Sequence, residues 1–234
     1  MKKIIKTVDK YLFFGFMKKL YYKLKYERGN SIKINALNLK PLSTPEKRLI
    51  SLVDLLNKSS NEGVVVECGV GYGHSLSIIS KYFINTNKVI YAFDSFEGYP
   101  DETHGKDLDN IKNRKWNYKL MTLDLVKNNL RNREINEKFI NNNIVFKKGF
   151  FPDSFVGFNE KVSFLQIDVN LYKSVKDCLN FFYPKLVNGG IICLWENFSD
   201  EKWIGSKKAV DEFVNENNIK LLEHFSTLKY IIKE

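Results

Sequence analysis

The chain has 234 residues, 44% of them apolar and 27% charged, and a formal net charge of +10. This composition excludes a disordered chain, and the length is enough for one domain with a substantial core plus an appendage. The charge is unevenly spread: eight lysines and Arg28 against Asp9 and Glu27 give residues 1–28 a net +7. The rest is only about +3, which argues against nucleic acid as a partner of the main domain. Cys68, Cys178 and Cys193 form no C-x-x-C pair, so neither a zinc site nor a disulfide is expected, and a reducing, cytoplasmic setting is.

Residues 1–28 are basic and aromatic. Their apolar run, Tyr11–Met17, is far shorter than the ~20 residues of a spanning helix, and no small-residue cleavage site follows it. Two readings stay open. In one, an amphipathic helix lies on the inner face of an anionic membrane through Lys2, Lys3, Lys6, Lys10, Lys18 and Lys19. In the other, the helix packs on the main domain or on a second subunit of a homo-oligomer, which apolar residues nearly all round it favour. A polar connector over 29–43 leads to the main domain, so the expected division is 1–43 and 44–234.

Thr44, Pro45 and Glu46 read as an N-cap, first helical residue and first-turn acid. Leu49, Ile50, Leu52, Val53, Leu55 and Leu56 give the helix they open a core face. Next comes VVVECGVGYGHS (Val64–Ser75). Three valines predict a buried strand, and Gly69, Gly71 and Gly73 on alternate positions predict a turn into a helix carrying Leu76, Ile78, Ile79, Tyr82 and Phe83. Strand, glycine turn and helix make a ligand site at the carboxyl edge of an α/β sheet, because glycine lets backbone approach a ligand and the helix N-terminus offers free N–H groups. The spacing is G-x-G-x-G. The third glycine of the dinucleotide fingerprint is here His74, a helix-start residue.

Apolar runs of strand length follow at Val89–Asp94, Ile144–Lys147, Val162–Asp168 and Ile191–Trp195, separated mostly by helical patterns. Lys220–Phe225 and Leu228–Ile232, joined by Ser226-Thr227, predict a closing antiparallel pair; His224, within it, carries no functional signal. Alternating strands and helices predict an α/β fold. An acid at the tip of the second strand, Asp94, is placed to accept from both hydroxyls of a ribose. Residues 98–120 hold few apolar anchors beside that edge and read either as a lid or as a plain surface loop.

Four segments are more specific: FDSFEGYP (Phe93–Pro100), GFFPDSF (Gly149–Phe155), LQIDVNLYKS (Leu165–Ser174) and YPKLVNGGIICLWENF (Tyr183–Phe198). With the glycine loop they resemble the macrocin O-methyltransferase family of class I S-adenosylmethionine-dependent methyltransferases, over about residues 44–218. The resemblance implies a Rossmann-like sheet of five parallel strands plus a C-terminal antiparallel pair, here with an N-terminal helical extension. It implies S-adenosylmethionine as cofactor and a sugar hydroxyl of a glycan or glycoside as acceptor. Glu67, Gly69, Gly71, Gly73 and Ser75 match the cofactor loop, whose acid helps hold the amino end of the cofactor. Asp94 and Ser95 match the ribose segment, and Gly149 and Phe150 the segment flanking the adenine. Asp168 matches an acid at the cofactor and metal site. Tyr172 and Ser174 match positions that serve the helix start.

Two positions depart from the family pattern. Asn170 stands where a second acid acts as general base, and an amide cannot take a hydroxyl proton. Trp195-Glu196-Asn197 stands where the family has paired acids, leaving Asp168, Glu196 and the Asn197 oxygen as the set for a weak Mg²⁺ site. Glu196 or His104 then remains as the base. The bland alternative for Asp168 is a helix N-cap. Asn170 and Trp195 also motivate a different class of function: a weakened paralogue that binds the cofactor and serves as a partner or scaffold.

Overall fold

The structure is a computed structural model, and it describes residues 46–99, 121–195, 204–224 and 228–234. In chain order these form α1 (Glu46–Lys58), β1 (Val64–Cys68), α2 (His74–Phe83), β2 (Ile90–Asp94), α3 (Leu123–Asn132), α4 (Glu137–Asn143) and β3 (Ile144–Lys148). There follow β4 (Val162–Ile167), α5 (Tyr172–Phe182), β5 (Leu186–Leu194), α6 (Ile204–Glu216), β6 (Leu222–Glu223) and β7 (Lys229–Ile232). The expected Thr44–Pro45 cap, the extension and connector over 1–43, and residues 100–120 of the lid lie outside the described residues.

The seven strands form one sheet in the order β3-β2-β1-β4-β5-β7-β6. β1 to β5 pair in parallel, while β7 pairs antiparallel with both β5 and β6. The apolar runs fix this arrangement because both faces of the central strands are covered: all six residues of β4 are buried, as expected where helices cover a parallel sheet on both sides. Strand order reverses between β1 and β4, the place where open α/β sheets bind ligands beyond their carboxyl ends.

One face packs on α5 and α6 through Val66, Cys68, Leu165, Ile167, Ile192 and Leu194 against Cys178, Leu179, Phe182, Ala209, Val210 and Phe213. Phe93, Phe155, Phe158 and Phe182 interlock edge-to-face there, with ring centroids 4.9 to 5.8 Å apart. Such pairs add about 0.5–1.5 kcal/mol each beyond the area they bury. The alternate residues point the other way, toward the side on which α1 meets α2 and β5.

Two strands depart from the sequence pattern by more than one residue at an end. β6 shrinks to Leu222–Glu223, at the sheet edge. β5 starts at Leu186, five residues before its apolar run, because the Gly189–Gly190 stretch finds other backbone partners. Gly189 donates to the Lys233 carbonyl, and the Gly189 and Gly190 carbonyls accept from Ser60 and Lys233.

Candidate functional site

The carboxyl ends of β1, β2 and β4 meet around the glycine loop. Gly69 and Gly71 are both left-handed, at φ +88° and +54°, for different reasons. A Cβ on Gly69 would stand 2.3 Å from the Asp168 carbonyl oxygen, so this glycine lets β1 and β4 close up. A Cβ on Gly71 would meet nothing within 4 Å. That backbone faces open space, as a loop that receives a ligand must. α2 starts at His74 after Gly73, which makes no side-chain cap bond.

Asp94 braces this loop. Its Oδ2 accepts from the Val70 and Gly71 N–H groups at 2.7 and 3.0 Å, and its Oδ1 from the Phe96 N–H at 2.8 Å. The acid therefore lies at the crevice, as expected, but three backbone donors already engage its oxygens. A ribose hydroxyl would have to share Oδ1. Ser95 also holds its loop: its hydroxyl donates to the Gly98 carbonyl at 2.6 Å. Gly149 joins the same edge by donating to the Asp94 carbonyl at 3.0 Å. Beside it, Phe150 is one of few large apolar side chains exposed among the described residues, at 37%.

Glu67 is fully buried. Its Oε1 accepts from the Ser75 hydroxyl on α2, while Oε2 has no partner. Burial first, then the like charges of Asp168 and Asp94, hold its carboxyl well above the usual carboxylate range despite the Ser75 bond. In register beside it on β4 lies Gln166, 0% exposed, with neither amide atom hydrogen-bonded. A buried polar group left unpaired costs about 1–3 kcal/mol. Next in register on β5 comes Cys193, whose thiol is pushed up by burial. The sequence reading did not single out Gln166, although a glutamine inside the apolar run VSFLQI was the available signal.

Asp168 follows β4, and its N–H donates to the Cys68 carbonyl at 2.9 Å. It is not the N-cap of α5: that position is Leu171, which makes no side-chain cap bond. Asn170 donates from Nδ2 to the Tyr99 hydroxyl at 2.5 Å, tying β4's end to the loop after β2, while its buried Oδ1 has no partner. Tyr172 holds α5 to α6 through Glu212, in keeping with a structural part. His74 is half-buried, and burial followed by the charge of Arg133 lowers its pKa. His224 has partners that the sequence did not suggest: its ring bonds Ser51 and Asp54 of α1, both at 2.7 Å.

His104, Glu196 and Asn197 lie outside the described residues. Of the implied magnesium ligands only Asp168 is described. Among the described residues no three His, Cys, Asp or Glu side chains gather to hold an ion.

The family model for macrocin-O-methyltransferases, TylF, matches residues 44–225. The chain belongs to that family. Its fold is that of the methyltransferases it superposes on. The O-methyltransferase NovP is 21% identical over 80% of this chain and 79% of its own, with a TM-score of 0.68. The calicheamicin methyltransferase CalS11 is 20% identical over 92% and 90%, with a TM-score of 0.66. The methyltransferase PaMTH1 of Podospora anserina, solved with S-adenosylhomocysteine bound, is 12% identical over 92% and 85%, with a TM-score of 0.55. No curated protein matches the chain. Among the described residues no helix is long and apolar enough to cross a membrane.

Proposed function

We propose that this member of the macrocin O-methyltransferase family is an S-adenosylmethionine-dependent enzyme that methylates a sugar hydroxyl of a glycan or glycoside. The observation that carries the reading is the family match over residues 44–225, which takes in the whole crevice at the strand-order reversal. Structural neighbours agree in kind: one is described as a TDP-rhamnose 3'-O-methyltransferase and another was solved with S-adenosylhomocysteine.

The cofactor supplies an electrophilic methyl group, so the protein's work is to orient the acceptor oxygen in line with it and to remove a proton. The glycine loop, braced by Asp94, receives the methionine part of the cofactor, Asp94 lies toward its ribose, and Phe150 offers an aromatic face to the base. Asp168 lies at the mouth on the acceptor side. Proton removal falls to Glu196 or His104, with Asn170 limited to hydrogen bonding. Magnesium assistance through Asp168, Glu196 and Asn197 belongs to the same proposal. Full activity in chelator, unchanged by Asp168→Ala, would refute it.

Asn170 favours one second reading, because its amide is already tied to Tyr99 and cannot act as a base. On that reading the chain binds the cofactor and acts as a partner protein. Calorimetry with S-adenosylmethionine followed by mass spectrometry of a sugar panel separates the two: methylated product supports the enzyme, and binding without product on every acceptor supports the partner. Recruitment of residues 1–28 to anionic membrane is a separate proposal. Flotation on phosphatidylserine vesicles with and without that segment decides it, since equal behaviour of the two forms refutes recruitment.

A further inference from the structure

At the carboxyl edge of the sheet, one hydrogen bond joins two connections whose strands are not neighbours. Asn170, three residues beyond β4, donates from Nδ2 to the hydroxyl of Tyr99, five residues beyond β2, at 2.5 Å. β1 lies between those two strands, and the three end level, since Cys68 is in register with Phe93 on one side and Ile167 on the other. β2 and β4 are therefore two strand spacings apart, about 10 Å. The bond bridges that gap beyond the end of β1, where the chain turns into the glycine loop.

The two ends of this bridge are held differently. Asn170 stands on a fixed post: the Asp168 N–H donates to the Cys68 carbonyl at 2.9 Å, and the buried Leu171 opens α5. On the other side, the turn after β2 is anchored as far as the Gly98 carbonyl. Asp94 Oδ1 accepts from the Phe96 N–H, the buried Phe96 ring packs edge-to-face on Phe146, and the Ser95 hydroxyl donates to Gly98. Tyr99 is the first residue past those anchors, so its side chain can swing without unmaking them. For Asn170 itself the contact is no net gain. Its Oδ1 is buried without a partner, and an orphaned buried acceptor costs as much as a neutral hydrogen bond contributes, or more. A contact so near balance suits an element that opens as well as closes.

We propose that Tyr99 and Asn170 form a strap across the mouth of the crevice, closed in this structure, and that Tyr99 swings away from Asn170 when the cofactor enters or leaves. The proposal rests on the cofactor reading above. It gives Asn170 a part that needs an amide donor and no proton transfer. A carboxylate at position 170 would accept from the Tyr99 hydroxyl in a stronger, charge-assisted bond and hold the strap shut more firmly. The amide makes it releasable.

The test is stopped-flow binding of S-adenosylhomocysteine to the full chain. Tyr99→Phe keeps the ring and removes the hydroxyl. It should raise the association and dissociation rates together, by about three- to tenfold, and leave the equilibrium affinity within about threefold. Asn170→Ala should do the same, and the double variant should be no faster than either, because both changes remove one bond. Asn170→Asp should slow both rates. Unchanged rates in both Tyr99→Phe and Asn170→Ala would overturn the strap. A change in dissociation alone would overturn it too, since that marks an ordinary ligand contact, as would an Asn170→Asp protein faster than wild type in both directions. If Asn170→Ala does not fold, Tyr99→Phe and Asn170→Asp carry the test. A wild type that does not bind S-adenosylhomocysteine ends the cofactor reading and the strap with it. Wild-type binding with unchanged rates in the variants ends the strap alone.

Discussion

The two sides of the same strands follow opposite rules. On the side of α5 and α6, Val66, Leu165 and Ile192 meet a block of interlocked phenylalanines. On the other, one residue along each strand, Glu67, Gln166 and Cys193 make a buried row with three unpaired polar atoms. The alternation of a strand lets one peptide serve both purposes. The apolar side holds the fold together, and the polar side bears the cost of its unpaired atoms. Substitutions on the two sides should therefore differ in sign as well as in size.

The largest effect belongs to the apolar side. Phe155→Ala empties a position 2% exposed among four other aromatic rings and should cost about 3–5 kcal/mol in urea unfolding. Gly69→Ala comes next: its φ of +88° and the 2.3 Å approach to the Asp168 carbonyl predict a loss of about 3 kcal/mol by the same measurement. Asp94→Asn should cost about 1–3 kcal/mol, because an amide nitrogen must then face N–H groups of Val70, Gly71 or Phe96. It should also weaken S-adenosylhomocysteine, read by calorimetry, since the loop loses its brace.

The smallest effect carries the opposite sign. Burial holds the Glu67 carboxyl well above the usual carboxylate range, so the native chain keeps a proton that the unfolded chain releases. Wild-type stability then falls as pH rises from the ordinary carboxylate range through the folded value. Glu67→Gln removes that loss. Thermal melts of the empty proteins should coincide near about pH 4 and separate by about 1 kcal/mol or less near about pH 8, with the variant the more stable. S-adenosylhomocysteine affinity should drop in the same variant. A Glu67→Gln protein that is less stable at the higher pH would contradict the division between the two sides.

Much of this was legible in the sequence, for physical reasons. Unbroken apolar runs such as Val64–Val66 have only a doubly covered sheet to go to, and the glycines after Glu67 form the expected turn into α2. The length of β5 was hidden because Asn188-Gly189-Gly190 has turn composition, yet its backbone pairs with residues far away in sequence. Asp94 was located correctly. Its bonds to the loop were not foreseeable, because they depend on which N–H groups the folded loop turns inward. Gln166 was visible as a lone amide in an apolar strand, but its unpaired state exists only once its neighbours are in position.

The contact between α1 and the residue after β6 has a consequence during synthesis. Ser51 and Asp54 meet His224 across 173 and 170 residues of chain, so the helix emerges from the ribosome long before its imidazole brace is made. A polypeptide halted ahead of His224 would carry every strand of the parallel set and still lack this clasp.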